Sequence, residues 1–163
     1  DNMELEIANY LNKVSEGRLS SESKLEIRGM LREVTEIESI GDSCYNLART
    51  INRKRSGGND FTEKQYEHIH QMMQLTDDAL AQMIAIVEDD YHVVDVNKTF
   101  NLENEINNYR AQLKNQNVVD VNNKEYDYQM GVHYMDLIGE CEKLADYVVN
   151  VVEARTNVKE KKA

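Results

Sequence analysis

Between residues 25 and 51, Leu25, Met30, Leu31, Val34, Ile37, Ile40, Cys44, Leu47 and Ile51 keep a helical spacing, and no proline interrupts them. Steps of three and four residues mark one face of a helix. Proline is the residue that most reliably ends a helix, and the whole chain of 163 residues contains none. Long unbroken helices are therefore the main option open to this chain.

The same period and the end signals divide the chain into five helices, at about 2–14, 20–55, 60–90, 96–115 and 124–157. Ser20-Ser21 supplies a start signal for the second. Arg53-Lys54-Arg55 followed by Gly57-Gly58 reads as its end, with basic residues on the last carbonyls and glycine in a left-handed cap. Asp60 with Glu63 three residues on has the spacing of a capping box for the third. Asn117 to Asn123 reads as a polar break, and residues 158–163 as a disordered tail. The expected fold is all-α, one antiparallel bundle over residues 1–157.

Two segments carry one pattern, E-x-E-x-x-x-D-x-x-x-N. It is met at Glu36, Glu38, Asp42 and Asn46, and again 104 residues on at Glu140, Glu142, Asp146 and Asn150. Residues four apart share a helix face. Glu38–Asp42–Asn46 and Glu142–Asp146–Asn150 thus form two oxygen-rich stripes, which suggests a pair of cation sites. The alternative for the same residues is a set of hydrogen bonds or ion pairs between helices.

The duplication extends upstream. Residues 4–10 match residues 103–109 at five of seven positions. Repeat one then spans 1–56 and repeat two 60–157. A further helix at 60–90 precedes the second copy, and the first copy has no counterpart to it. The helices at 2–14 and 20–55 are expected to expose apolar faces, and such faces seek partners. Self-association into a homo-oligomer is the prediction.

The net charge of −11 argues against a nucleic-acid partner, because phosphates are bound by clustered Lys and Arg. Two cysteines, Cys44 and Cys141, are too few for a disulfide framework and are expected to be buried thiols. No apolar run nears the roughly 20 residues a membrane helix needs. No nucleophile elbow or phosphate-binding glycine loop is present in the sequence. An enzyme is not expected.

The motif Ile37-Glu38-Ser39-Ile40-Gly41-Asp42 and its copy ending Leu144-Ala145-Asp146 resemble the duplicated E/D-x-x-x-D signature of PhoU-type domains. Those are all-helical proteins of two three-helix repeats, so the first helix of repeat one would be missing here. Residues 101–110 and 134–142 are similar to the PhoU-like regulatory region of bacterial sodium/phosphate cotransporters. The resemblance implies a non-catalytic module of phosphate transport or homeostasis, on the cytoplasmic face of the inner membrane. Its partner would be a membrane transporter domain of the same or an associated chain; the alternatives are a stand-alone phosphate-signalling regulator and, behind it, a metal-dependent hydrolase using the carboxylates.

In that family such carboxylates hold clusters of metal, usually iron or zinc; Mg and Ca are also suited to carboxylate oxygens. Carried over by position, the ligands would be Glu38, Asp42, Glu142 and Asp146, joined by Glu4 and Glu103, with Asn46 and Asn150 orienting them.

Overall fold

The computed structural model describes residues 2–57, 60–88 and 95–156. These form five helices: α1 (Asn2–Ser15), α2 (Ser21–Ser56), α3 (Glu63–Glu88), α4 (Val96–Asn122) and α5 (Tyr128–Thr156). The expected tail at 158–163 and the left-handed cap at Gly58 lie outside the described residues.

The hub is α5. Tyr134, Leu137, Ile138, Cys141, Leu144, Ala145, Val148, Val151 and Val152 are all buried. They form one broad apolar face of α5, and that face is turned into the bundle. It packs against α2, α3 and α4, while α1 packs, among the described helices, on α2 alone. α4 is more polar and enters the core through one stripe at seven-residue steps, Thr99, Ile106 and Leu113. The chain thus builds one three-helix unit, α3–α4–α5, with a two-helix unit, α1–α2, laid against it.

Three end signals differ from expectation. The start of α3 is a capping box two residues later than Asp60. The Thr62 hydroxyl accepts from the Gln65 backbone N–H at 3.2 Å, and the Gln65 side-chain Oε1 accepts from the Thr62 N–H at 3.0 Å. Asp60 instead accepts from its neighbour's N–H at Phe61 and from Lys54 and Tyr66.

Lys54 is accordingly not a helix cap. It is 8% exposed, ion-paired to Asp60, and stacked over the Phe61 ring at 4.6 Å. Gly57 closes α2 with a right-handed φ of −80° and an N–H bond to the Lys54 carbonyl.

The segment 117–123 is helix up to Asn122, not a break. Its polar side chains have partners that do not disturb the backbone: Gln116 donates to Asp120 at 2.7 Å, and the Tyr126 hydroxyl donates to Asn117 at 3.0 Å. The turn comes at Lys124, whose φ of 62° is left-handed. Asp127 then caps α5, accepting from the Met130 N–H at 2.7 Å. Gly131 lets α5 pass close to α4, since a Cβ there would sit 2.9 Å from Val121 Cγ2.

Candidate functional site

The duplicated motif divides into two sets of residues with different neighbours. Glu36 and Asn46 of α2, and Glu140 and Asn150 of α5, face the seam between these helices. Asn46 Nδ2 donates to Glu140 at 3.4 Å, and Asn150 Nδ2 donates to Glu36 at 3.1 Å. Higher numbers on α2 meet lower numbers on α5, so the two helices run antiparallel. Because 36 and 140, and 46 and 150, are equivalent positions of the repeat, the two bonds are copies of each other. A local two-fold axis relates them.

Arg32 strengthens one end of the seam, reaching Asn150 at 3.3 Å and Glu153 at 3.3 Å. Arg155 lies 3.9 Å from Glu33 and donates to the Val87 carbonyl at 3.2 Å. Burial pushes the Glu33 carboxyl above its ordinary range, with the Arg155 charge opposing. Asn46 and Asn150 are therefore cross-links between the repeats, and this structural use is the second of the two readings open from the sequence.

Glu38, Asp42, Glu142 and Asp146 lie off that seam, toward α1 and α4. In repeat two the structure gathers them with their expected neighbour. Burial raises the Glu142 carboxyl, Arg110 opposes the rise, and the charges of Asp146 and Glu103 add to it. The Asp146 carboxyl is raised by burial, again against Arg110. Arg110 Nε stands 3.5 Å from Glu142, and Glu103 accepts from Asn107 on its own helix at 2.5 Å. Arg110 thus provides a guanidinium within a group of three carboxylates.

In repeat one the equivalent of Arg110 is Leu11, which is buried against α2. Thr35 donates to Glu4 at 3.4 Å and ties α1 to α2. Glu38 is half-buried and Asp42 exposed. The two patches share their carboxylates but differ in charge.

In the second patch the positive charge of Arg110 stands beside the carboxylates and pairs with Glu142. Among the described residues, no three His, Cys, Asp or Glu side chains come together in a way that could hold a metal ion. The sequence reading of these residues missed Arg110. Its signal was the comparison of the repeats one step beyond the matched heptapeptides, where Arg110 stands against Leu11.

A polar cavity of about 280 Å³ opens between the start of α3 and the end of α4, lined by Gln65, His68, Asn117, Asp120, Tyr126 and Tyr134 among others. His68 Nδ1 and the Tyr134 hydroxyl lie 2.9 Å apart. Burial lowers the His68 pKa and raises that of Tyr126 to about 12, so both groups are neutral near pH 7. Lys64 lies 3.7 Å from Asp120 at the rim. These groups offer hydrogen bonds to a small polar molecule and no net positive charge for an anion.

No described helix is long and apolar enough to cross a membrane. No match was found among curated proteins or among solved structures. The family profile of the PhoU domain matches residues 69–154, which covers just over half of the chain and nearly all of α3, α4 and α5. The chain belongs to the PhoU domain family.

Proposed function

We propose that this chain is a non-catalytic regulatory module of phosphate homeostasis, acting on a sodium-dependent phosphate transporter at the cytoplasmic face of the membrane. The observation that carries the reading is the PhoU-domain match over the three-helix unit. The charge pattern supports it. Glu142 of the second patch is paired with Arg110, and the carboxylates of the seam are bonded to amides and to an arginine. These are arrangements that hold helices in place.

Phosphate uptake is the test. Bacterial cells expressing the transporter, with and without this chain, are compared for sodium-dependent uptake of labelled phosphate and for a phosphate-starvation reporter. The proposal expects uptake to change when the chain is present. A changed reporter with unchanged sodium-dependent uptake would point to a stand-alone regulator. If neither moves, the regulatory reading fails.

A further inference from the structure

The cavity between the start of α3 and the end of α4 is built from polar side chains whose bonding capacity the fold uses only in part. Gln65 is 2% exposed, and its Oε1 is taken by the Thr62 N–H. Its Nε2 lies beside the Tyr126 hydroxyl and meets no acceptor at hydrogen-bond geometry among the described residues. Asn117 accepts from Tyr126 through Oδ1, which leaves the two N–H groups of its Nδ2 for other partners. A buried donor of this kind requires a partner, from solvent or from a ligand.

An acceptor shares the space with these donors. Asp120 accepts from Gln116 at one oxygen and lies 3.7 Å from Lys64 at the other. Its charge acts on His68, Tyr126 and Tyr134, so the carboxylate stands near all three. A carboxylate has about four lone-pair sites, and capacity remains.

The charges narrow the class of ligand. Among the described lining residues Lys64 carries the one positive charge, set against Asp120 and Glu125, and His68 is neutral near pH 7. An anion only accepts, and it would meet two carboxylates. A cation only donates, so it would leave the Gln65 Nε2 unpaired and would meet Lys64. A hydroxyl both donates and accepts, so a molecule with several hydroxyls satisfies the amide donors and the carboxylate together. Leu113 and the Tyr134 ring, both buried, give its C–H groups an apolar wall. The volume of about 280 Å³ stands at the small end of ligand pockets, which suits a single ring or a short chain.

We infer that this cavity binds a small uncharged polyhydroxyl molecule, of monosaccharide or cyclitol size, held by Gln65 Nε2, Asn117 Nδ2 and the Asp120 carboxylate. Asp120 is ten residues from Arg110, about 15 Å along α4, so the site is separate from the carboxylate patch of repeat two. It does not rest on the regulatory reading.

The test uses the whole protein, labelled with nitrogen-15, at pH 7. Glycerol, D-ribose and myo-inositol are the uncharged probes; inorganic phosphate and ethanolamine are small ions for comparison. The side-chain amide signals of Gln65 and Asn117 are followed by NMR. Saturable shifts of both are expected with at least one uncharged probe. Asn117→Asp keeps the oxygen that Tyr126 needs and removes the donor, and Gln65→Glu does the same for the Thr62 N–H. Each should weaken binding at least tenfold, read on the amide that remains; if one variant fails to fold, the other stands in.

The inference is overturned if none of the three uncharged probes gives saturable shifts, since the cavity then holds solvent only. It is also overturned if phosphate or ethanolamine binds there more tightly than every uncharged probe, or if the folded variants bind as the wild type does.

Discussion

Asn46 of α2 donates to Glu140 of α5 at 3.4 Å, and the duplicated pair Asn150 and Glu36 repeats that bond at 3.1 Å on the other side of a local two-fold axis. Two copies of one motif therefore fasten the repeats to each other. The residues that first suggested two ligand sites are in part a single symmetric clasp.

The clasp makes an asymmetric prediction. A net hydrogen bond contributes about 1 kcal/mol, so Asn46→Leu should cost roughly that amount in urea unfolding. Asn150 also accepts from Arg32, which in turn pairs with Glu153. Asn150→Leu should cost about twice as much. The two sites are ten residues apart, about 15 Å along α2, so the double variant should be additive within about 0.5 kcal/mol. Equal costs for the two single variants would show that Arg32 adds nothing to the seam.

The carboxylate patch of repeat two predicts a pH dependence of a definite sign. The folded-state pKa of Glu142 is raised, chiefly by burial. A raised carboxyl favours the fold below its unfolded pKa and loses that contribution as pH rises through the folded value. Glu142→Gln should therefore be at least as stable as wild type at pH 7. Its advantage should shrink as pH falls through the raised folded value toward the ordinary glutamate range, and be gone below that range. Urea midpoints at pH 7 and pH 4 measure this, and a variant clearly less stable at pH 7 would show that the Arg110 pair outweighs burial.

Arg110→Leu copies the first repeat into the second. It removes the opposing charge from Glu142 and Asp146 and leaves three carboxylates together. Both partners of the pair are partly exposed, so the expected loss at pH 7 is modest, about 1 kcal/mol. Carboxyl titration followed by NMR should show the Glu142 and Asp146 pKa values rising further. Unchanged pKa values would mean that Arg110 does not neutralise the patch.

Helix existence was legible from the sequence because nothing in a proline-free chain contradicts the 3.6 period, and the repeat was legible because its offset is fixed. Helix ends were less so. Asn117 was read as part of a break, yet its side chain is held by Tyr126 and the backbone stays helical. Asp60 and Thr62 both suit a cap, and only the fold shows that Asp60 is taken by Lys54. The clasp was hidden because residue spacing on one helix does not say which neighbour each face meets. Glu36 and Glu140 stood in the motif all along, but their partners belong to the other copy.

The Lys54–Asp60 pair has its own pH window. Hydrogen bonds from Lys54 and Tyr66 hold the Asp60 carboxyl down at about 2. A depressed carboxyl stabilises the fold above its unfolded pKa, and that contribution is lost as pH falls through the folded value. Asp60→Asn should melt below wild type at pH 7, and the gap should narrow steadily from about pH 4 downward. A gap that stays constant with pH would mean that Asn reproduces the contacts and the charge is idle.

Cys44 and Cys141 separate the two repeats chemically. Both were expected to be buried, but Cys44 lies exposed on α2 while Cys141 is 2% exposed beneath α3. Burial pushes the Cys141 thiol up to about 11. The thiolate is the reactive form, so at pH 8 Cys141 is protected twice, by its charge state and by access. A thiol reagent such as DTNB should titrate one thiol quickly in the native protein and the second only on unfolding. Cys44→Ser should abolish the fast phase and Cys141→Ser the slow one. Native-state reaction of both thiols at similar rates would mean that α3 leaves α5 readily.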